Sequence, residues 1–356
     1  MTAPVAIGLH LVGPGLAPLV VAELSGNHNG DFDRAISLVR AAAAAGAGAV
    51  KLQTYTPDTM TLDLDDPRFV VNQELWRGRT LHDLYAEAMT PWEWHADLFA
   101  EARSLGLLCF SSPFDLTAVE LLESLDCPAY KIASLEIGDL ALIAACAATG
   151  KPVIISTGGS GAGEIDEAVD ACRSAGDGGC VLLRCTAAYP APPDELNLAT
   201  ITDMRDRWSL PIGFSDHTLD GVAAVVAVSL GACLVEKHFT LARSDGGPDA
   251  AFSMEPEPFA AMVDDVRAAH EMLGSTAYGP SRSEEVTLES RRSLYAVRDI
   301  AAGTLIGPAD VRSLRPAGGL APRHLADVLG SRAVGDIPRG TPLAWSLLDR
   351  TETHGP

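Results

Sequence analysis

The sequence predicts a (β/α)8 barrel followed by a small β-rich domain. Eight times between residues 19 and 273, a short β-rich run is followed by a longer run with helical features, often rich in alanine. The strand runs are apolar and rich in β-branched residues, which is typical of strands buried on both faces. Eight such units in about 250 residues match the size of this barrel. An open doubly wound sheet is the alternative, and it typically has fewer strands.

Residues that favour helix ends delimit the eight units. The first helix begins at Asp31 and reaches a glycine near its end, and a later one has Thr90 as its cap and Pro91 in its first turn. A long insertion from Pro57 to about Thr90 has its own short helix near 81–89. The predicted strands are 19–24, 49–55, 107–112, 128–134, 152–158, 180–186, 211–216 and 233–239, and the helices are 31–47, 90–106, 116–126, 140–150, 163–176, 196–208, 221–231 and 256–273.

The alternating pattern stops after Tyr278. A polar stretch follows, and then short runs separated by turns, in which "DIAAGT" and "DIPRGT" indicate a two-fold repeat. We therefore predict a barrel domain over 1–280, a linker over 281–292 and a β-rich domain over 293–356. The last domain has few core residues, so we expect it to depend on another surface for stability.

Composition and charge exclude several classes of partner. The 356-residue chain has a formal net charge of −21, which argues against nucleic acid or an anionic membrane as its main partner. Its seven cysteines form no C-x-x-C pair and lie mostly in apolar segments, as reduced cysteines do in a cytoplasmic protein. The first 18 residues lack a basic n-region, so we expect no signal peptide, and no apolar run reaches the length of a membrane helix.

Polar residues follow every predicted strand. Because active sites of such barrels lie at the carboxyl ends of the strands, this direction matters. The strand starts, by contrast, are Pro, Ala, Leu or Cys. The polar residues at or just after the strand ends are Glu23, Lys51, Gln53, Ser111, Ser112, Lys131, Ser134, Glu136, Ser156, Thr157, Thr186, Tyr189, Ser215, Asp216, His217, Glu236, Lys237 and His238.

Two of these residues, His217 and His238, are candidate metal ligands. Each follows one of the last two strands, and neighbouring strands lie about 4.8 Å apart, so two imidazoles can share one ion. Two nitrogen ligands leave open positions for water and a substrate oxygen, which suits a Lewis acid better than a structural metal. The alternative is a pair of hydrogen-bonded surface histidines.

Lys51 and Lys131 indicate either an anionic ligand or two buried ion pairs. Lysine is rarely buried alone, so salt bridges to Glu23 or Glu136 are the simple explanation. The competing explanation is a phosphate or carboxylate site, because lysines, hydroxyls and free backbone N–H groups together bind such anions. The glycine-rich run 158–163 precedes a helix, where an anion is also favoured. The hydroxyls are Ser112, Ser134, Ser156 and Ser215.

Two acidic residues have further candidate roles. Glu136 either balances the charge of Lys131 or activates water. Asp249 lies in the Gly- and Pro-rich segment 243–256, which we expect to fold over the barrel mouth as a lid.

Together the motifs resemble those of the sialic acid synthase family, which condenses phosphoenolpyruvate with an amino-sugar aldehyde. The similarity runs from about residue 19 to 350, and it includes the C-terminal "RRSLYAVRDIAAGT" and "RPAGGLAP" of the family's antifreeze-like (SAF) domain. The barrel motifs are "AELSGNHNGD", "AVKLQTY", "YKIAS" with Glu136 two residues later, "KPVIISTG", "CTAAYPAP", "GFSDHT", "EKHFT" and "GGPDAAFSMEP".

The resemblance implies a role for each candidate residue. It implies that His217 and His238 hold Mn²⁺ or Mg²⁺, and that Glu136, Lys131 and Glu23 are catalytic, with Glu136 acting on water. It also implies a domain-swapped homodimer, in which Arg315 of one protomer touches the acyl group of the sugar in its partner. Phosphoenolpyruvate would contact Lys51, Lys131, Ser112, Ser134, Ser156 and Ser215, and the sugar would contact Glu23, Gln53, Tyr189 and Asp249.

Within the family, the chain most resembles the branch that makes pseudaminic acid. The segments "QTYTPDTMTLD", "TPWEWH", "CFSSPFD" and "GGPDAAFSMEP" carry this similarity. Ala250 stands where N-acetylneuraminate synthases have histidine, and Ala187 replaces a polar residue that usually touches phosphoenolpyruvate. The implied acceptor is 2,4-diacetamido-2,4,6-trideoxy-L-altrose.

Other functions stay open at this stage. The acceptor of an N-acetylneuraminate or legionaminic acid synthase is the nearest alternative. A metal-dependent hydrolase on the same barrel would carry an H-x-H pair at the first strand, where this chain has only His28. A non-catalytic phosphosugar-binding protein would need no metal-activated aldehyde.

Overall fold

The computed structural model describes residues 2–72 and 74–350. The chain divides into two compact units, one ending at Gly274 and the other starting at Ser275. None of the helices in the described residues combines the length and the hydropathy of a membrane-spanning segment.

The first unit starts with an antiparallel hairpin that the sequence pattern did not predict. Strands β1 (Val5–Ile7) and β2 (His10–Val12) pair around a turn with Gly8 at φ +56° and Leu9 fully exposed. The side chains of Val5, Ile7 and Val12 belong to the same apolar core as the barrel. Three-residue strands give too short an alternation for a periodicity to stand out.

Eight parallel strands form a closed barrel, which confirms the predicted fold class. The last strand pairs with the first, and each other strand pairs with its neighbours in the chain, in the order β10-β3-β4-β5-β6-β7-β8-β9. The strands are β3 (Leu19–Glu23), β4 (Ala49–Thr54), β5 (Leu108–Pro113), β6 (Tyr130–Ile132), β7 (Val153–Ser156), β8 (Cys180–Cys185), β9 (Ile212–Asp216) and β10 (Leu234–His238).

Helices follow the strands at the expected places. Side chains cap several of them: Asp31, Asp115 and Asp139 each accept from a backbone N–H two or three residues later, at an otherwise unsatisfied helix start. The helices of this unit are α1 (Phe32–Ala44), α2 (Pro57–Met60), α3 (Leu81–Ala88), α4 (His95–Ser104), α5 (Leu116–Ser124), α6 (Leu140–Ala148), α7 (Ala162–Ala175), α8 (Thr200–Trp208), α9 (Val222–Ser229) and α10 (Pro256–Leu273).

Two helices start later than the sequence predicts. A 3-10 turn over Trp92–Trp94 precedes α4, so the helix does not begin at Pro91. Asn197 has φ +47°, which a right-handed helix does not allow, so α8 begins at Thr200 rather than at 196.

The second unit is a small β-rich body. It contains the hairpin-like pairs β11 (Ser293–Ala296) with β12 (Val311–Leu314) and β13 (Arg332–Ala333) with β14 (Leu348–Asp349), and helix α11 (Leu325–Val328). The segment predicted as a linker, 281–292, includes a 3-10 helix over Glu285–Ser290.

The two similar hexapeptides of this unit pair with each other, as a two-fold repeat would. Ile300 and Ile337 exchange both backbone hydrogen bonds, at 2.9 and 2.8 Å. The carboxylate of Asp336 accepts from the N–H of Ala302, and that of Asp299 accepts from the N–H of Arg339, each at 2.8 Å. Each aspartate therefore closes the turn of the other copy.

Replacing Ile7 by alanine is expected to lower the free energy of unfolding by about 2–5 kcal/mol, because its fully buried side chain would leave a cavity in the barrel core. Leu9→Ala is the matched control, since Leu9 is fully exposed two residues away, and it should change stability by less than about 0.5 kcal/mol. Urea denaturation followed by circular dichroism measures both. An equal loss of unfolding free energy in the two variants would show that packing of Ile7 against the barrel core does not stabilise the fold.

Candidate active site

Four buried charged side chains form a cluster at the carboxyl ends of the barrel strands. Lys51 Nζ lies 2.5 Å from Glu23 Oε2 and 3.6 Å from Glu236 Oε1, and Lys131 Nζ lies 3.7 Å from that same Glu236 oxygen. Because Glu23 and Lys51 are partners in the register of β3 and β4, their inward-facing side chains meet directly. Both simple ion pairs and an anion site remain compatible with this cluster.

Burial and the neighbouring charges shift the pKa values of the residues in this cluster. Burial raises the pKa of Glu23, although Lys51 partly opposes this. Burial lowers the pKa of Lys131. Burial acts in the same direction on Lys51, but the carboxylates of Glu23 and Glu236 outweigh it and raise the pKa of Lys51. Perturbed buried groups of both signs at the mouth of a barrel are typical of a functional site.

Glu236 is the residue of this cluster that the sequence reasoning did not select. It was one of many polar strand ends, and nothing in the pattern showed that it would lie between two lysines. Against the effect of its burial, Lys131 and then Lys51 lower its pKa. One of its carboxylate oxygens is buried without a hydrogen-bond partner among the described residues. Such an atom is costly unless a ligand or water pairs with it.

The two predicted metal ligands lie beside each other at this end of the barrel. The rings of His217 and His238 have their centroids 5.5 Å apart. Nδ1 of His217 lies 2.9 Å from the carbonyl of Thr186, and Nδ1 of His238 lies 3.3 Å from the hydroxyl of Ser25. Hydrogen bonds at Nδ1 leave Nε2 of each ring as the nitrogen for an ion.

The donor set fits a metal ion held with open positions. Among residues 2–72 and 74–350, no group of three or more His, Cys, Asp or Glu side chains surrounds a common point. Burial, and then the charge of His217, lower the pKa of His238 well below its ordinary value, which favours the neutral form that binds metal. For His217, Cys185 and the Thr186 carbonyl outweigh burial and raise the pKa.

The four predicted serines lie at the ends of four different strands or in the turn after one. Ser112 Oγ accepts from Lys51 Nζ at 3.2 Å, and Ser134 Oγ accepts from the N–H of Gly158 at 3.0 Å. Ser156 Oγ is buried without a hydrogen-bond partner in the described part of the chain, and Ser215 is buried beside Glu236 in the register of β9 and β10. An unpartnered buried hydroxyl at a strand end, such as that of Ser156, is suited to a polar ligand.

The glycine-rich run leads into the N-terminus of α7, as the sequence suggested, but one N–H of that terminus already has an acidic partner. The N–H of Gly161 donates to the carboxylate of Glu164 at 2.8 Å, so the first turn of α7 supplies its own negative charge. Gly158 matters in a different way. A Cβ there would lie 2.8 Å from Ser134 Oγ and 3.1 Å from the Ala187 methyl, so the turn requires glycine.

The residues predicted to face a sugar fall into two groups. Gln53 donates to Glu23 Oε1 at 2.9 Å, which joins it to the charged cluster. Asp249 Oδ2 accepts from the N–H of Gly26 at 3.0 Å, and burial raises its pKa. The segment after β10 is thereby fixed to the loop after β3.

Tyr189 belongs to a set of three rings that we call the aromatic wall: Trp76, Tyr189 and Phe252. Tyr189 packs on His217 with ring centroids 4.2 Å apart, and Phe252 packs edge-on against His238 at 4.9 Å. Tyr189 and Phe252 also contact each other at 4.9 Å. Trp76 and Phe252 were not predicted as site residues.

Glu136 and Arg315 are two predicted residues for which no contact with the charged cluster is observed among the described residues. Glu136 is half-buried in a 3-10 turn over Ser134–Glu136, and its pKa is raised by burial and lowered in part by Lys131. Arg315 lies in the second compact unit, where it is exposed.

Comparison with known proteins decides the family. A NeuB family model matches residues 38–278, and a SAF domain model matches residues 291–349. The chain belongs to the NeuB family. The predicted resemblance is therefore confirmed, including the identity of the C-terminal domain as a SAF domain and the conclusion that the chain is an enzyme of this family.

Similar proteins cover nearly the whole of this NeuB-family chain. A pseudaminic acid synthase of Helicobacter pylori is 41% identical over 338 residues, which are 94% of this chain and 98% of the relative. An N,N'-diacetyllegionaminic acid synthase of Legionella pneumophila is 35% identical, covering 96% and 98%. The crystal structure of an N-acetylneuraminic acid synthetase from Leptospira borgpetersenii superposes with a TM-score of 0.72 at 29% identity, over 81% of this chain and 96% of that one.

A second buried ion pair explains how this NeuB-family barrel presents its histidines. Asp216 and Lys237 are register partners on β9 and β10, and each directly precedes a histidine in the sequence. Lys237 Nζ lies 2.9 Å from Asp216 Oδ2 and also donates to the carbonyls of Thr218 and Asp220 at 2.5 and 2.8 Å. Both side chains are almost completely buried, and they fix the loop that contains His217.

Some polar residues at the strand ends point away from the site, toward the helices. Side chains alternate along a strand, so the neighbours of an inward residue face the helix layer. Thr54 and Ser111 form a buried hydrogen-bonded group with His95 of α4, at 2.8 and 2.6 Å from the Thr54 hydroxyl. These residues stabilise the packing of a helix on the barrel and take no part in the charged cluster.

Replacing Lys237 by methionine is expected to lower the free energy of unfolding by about 3–5 kcal/mol, because it leaves the Asp216 carboxylate buried and unpaired. Urea denaturation measures the loss. The double change Asp216→Asn with Lys237→Met should recover part of it, since no buried charge is then left alone.

The control is an exposed ion pair of the same barrel. Arg207 and Asp166 are 2.9 Å apart with 46% of each side chain exposed, so Arg207→Met should cost less than about 1 kcal/mol. A similar loss in Arg207→Met and Lys237→Met would contradict the role assigned to the buried pair.

Proposed function

We propose that the chain condenses phosphoenolpyruvate with 2,4-diacetamido-2,4,6-trideoxy-L-altrose to give pseudaminic acid and phosphate. The observation that carries this proposal is the placement of two buried lysines around one carboxylate, beside two neighbouring histidines, at the same end of the barrel. The names of the relatives at about 40% identity support the product.

The lysines and serines would bind phosphoenolpyruvate. Lys51 and Lys131 supply two ammonium groups for its phosphate and carboxylate, and the hydroxyls of Ser112 and Ser156 lie among the same strand ends. Ser134 and Ser215 extend this set. Ala187 contributes only a methyl, so affinity at that point would depend on the other contacts.

The two histidines would hold the divalent metal, Mn²⁺ or Mg²⁺. Their donor set fits such an ion because each Nδ1 has its own partner and Nε2 is left for coordination. When bound, the ion would polarise the aldehyde carbonyl of the acceptor. Glu23, Gln53, Tyr189 and Asp249 would orient the sugar, with Glu23 held in place by Lys51 and Gln53.

The proposed reaction joins six carbons to three. C3 of phosphoenolpyruvate attacks the aldehyde carbon, whose oxygen takes a proton and becomes a hydroxyl. Water then adds at C2 and loses one proton, and the resulting tetrahedral intermediate breaks the bond between C2 and the bridging phosphate oxygen. The C2 hydroxyl gives its proton to the departing phosphate and becomes the keto oxygen. The product is a nine-carbon 2-keto acid. Lys51 and Lys131 would stabilise the negative charge of the departing phosphate.

Two carboxylates are candidates to accept the proton of water. Glu136 is the one that the sequence predicts, and its raised pKa would suit a base near neutral pH. Glu236 lies closer to the lysines and has an oxygen without a partner, which suits it to hold the attacking water. We assign the water to this pair rather than to either residue alone.

An acceptor from the legionaminic or N-acetylneuraminic branch is the second candidate. The Legionella pneumophila relative, at 35% identity, supports it. Ala250 is buried where N-acetylneuraminate synthases have histidine, which disfavours N-acetylmannosamine.

We also propose that the chain works as a domain-swapped homodimer in the cytoplasm. In that assembly Arg315 of one protomer would contact the acyl group of the sugar bound by its partner. Its exposed guanidinium and the free state of all seven cysteines are in keeping with this proposal.

Three acceptors test the proposed reaction. With phosphoenolpyruvate and Mn²⁺, phosphate release should be fastest with 2,4-diacetamido-2,4,6-trideoxy-L-altrose and slower with N-acetylmannosamine and the legionaminic acid precursor. Phosphoenolpyruvate labelled with ¹⁸O at the C2–O bridge should give labelled phosphate, because the C–O bond breaks. Absence of phosphate release above the no-sugar control would reject a donor–acceptor pair.

A matched pair of lysine variants locates the phosphoenolpyruvate site. Lys131→Met should lower kcat/KM for phosphoenolpyruvate by about 100-fold or more, because one of two cations facing the departing phosphate is lost. Lys151→Met is the control, since Lys151 pairs with Glu123 on the outside of the barrel. Equal activity of the two variants would contradict the assignment.

Removal of the metal tests the histidine pair. Chelation by EDTA should abolish phosphate release, and added Mn²⁺ should restore it. His217→Ala should bind Mn²⁺ at least about 10-fold more weakly by calorimetry. Loss of a residue that only hydrogen-bonds to a metal ligand already lowers affinity by about that factor, and loss of a ligand lowers it more. His10→Ala, in the exposed part of β2, should bind like the parent chain. Unchanged Mn²⁺ affinity in His217→Ala would remove the metal from this site.

A further inference from the structure

The aromatic wall extends outward from the histidine pair in two layers. Tyr189 and Phe252 form the inner layer, in contact with the histidine rings. Trp76 forms the outer layer, with its ring centroid 6.4 Å from that of Tyr189 and 6.2 Å from that of Phe252. An apolar surface therefore runs from the proposed aldehyde position toward the barrel rim.

Trp76 reaches the wall from a distant segment and is fixed there. It lies in the insertion between α2 and α3, and its indole N–H donates to the carbonyl of Pro248 at 2.8 Å. The next residue, Asp249, binds the N–H of Gly26. Because both the indole nitrogen and the ring edges have partners, the ring has a defined position although it is only half-buried.

The other groups around the wall are polar and acidic. Asp249 directly follows Pro248, whose carbonyl holds the Trp76 indole, and its carboxylate accepts from the N–H of Gly26. Gln53 is hydrogen-bonded to Glu23 on the same side. The acceptor site thus offers hydrogen bonds on one side and aromatic rings on the other.

We propose that Trp76 determines the specificity for the far end of the acceptor, favouring a methyl group at C6 over a hydroxymethyl group. This inference rests on the proposed function, because it places C1 of an open-chain sugar at the histidines. C1 at the histidines would lie beside the inner layer, because Tyr189 and Phe252 contact the histidine rings. Five carbon–carbon bonds in an extended chain span roughly 6 Å, which matches the spacing from the inner layer to Trp76. C6 would then lie against the indole.

The chemistry of the wall explains the preference. A methyl group gains contact with the ring and leaves water at little cost. A hydroxyl at the same place would lose water, and the indole N–H could not replace that hydrogen bond because Pro248 already accepts it. Tyr189, whose hydroxyl is the remaining polar group of the wall, lies in the inner layer beside His217.

Two matched pairs of acceptors test the inference. One pair is 2,4-diacetamido-2,4,6-trideoxy-L-altrose and its 6-hydroxy analogue, and the other is N-acetylmannosamine and its 6-deoxy analogue. The parent chain should favour the 6-deoxy member by about 10- to 100-fold in kcat/KM. Trp76→Phe should keep most of this ratio. Trp76→Gln should reduce it to about threefold or less, by raising KM for the deoxy sugar while KM for phosphoenolpyruvate stays unchanged.

Trp208→Phe is the matched control. It is the last residue of α8, and its indole N–H donates to Asp166 of α7 at 2.7 Å, so its ring lies between two helices of the outer layer. Its ratio should equal that of the parent chain. Trp76→Leu gives a second apolar variant if Trp76→Gln is not folded by circular dichroism, and it should retain a preference for the methyl group.

The outcomes separate this inference from the proposed function. The role of Trp76 would be overturned if the parent chain had equal kcat/KM for the 6-deoxy and 6-hydroxy members of a pair that it turns over. It would also be overturned if Trp76→Gln left the ratio of these two values unchanged. If only the mannosamine pair is turned over and its 6-deoxy member is preferred, the proposed acceptor is wrong while the role of Trp76 is supported. Phosphate release with none of the four sugars would overturn both.

Discussion

The buried ion pair between Asp216 and Lys237 is the interaction on which the site depends. It joins β9 to β10 on the side of the sheet that faces the helices. Because side chains alternate along a strand, this outward pair turns the next residues, His217 and His238, toward the barrel axis. The same alternation turns Glu236 inward, two residues before His238. One structural contact therefore sets the direction of three candidate functional groups.

The charged cluster shows why a barrel mouth can hold polar groups that a core could not. Glu23 and Glu236 offset Lys51 and Lys131 in the described structure, so no lysine is left as an isolated buried charge. Yet the pairing is incomplete, because one oxygen of Glu236 and the hydroxyl of Ser156 have no partner among the described residues. The site combines enough compensation to fold with enough unsatisfied polarity to favour a ligand.

Sequence reasoning predicted the barrel and most of the strand-end residues, because both follow from local regularities. Burial on both faces gives a strand its composition, and the fold places all carboxyl ends together. The list of strand-end residues was too long, because side chains alternate along a strand and some of them, such as Ser111 and Asp216, face the helices instead of the site. Sequence reasoning missed Trp76, since a residue of a non-periodic insertion gives no signal of where its ring will pack. The role of Glu236 required distances between three strands.

The paired hexapeptides of the SAF domain have a consequence for how that domain holds together. Since Asp299 completes the turn of the second copy and Asp336 that of the first, neither half has its hydrogen bonds satisfied alone. Such mutual completion makes order in one half conditional on order in the other. A break in the chain between the two hexapeptides would therefore preserve these turns only while the two pieces stayed paired.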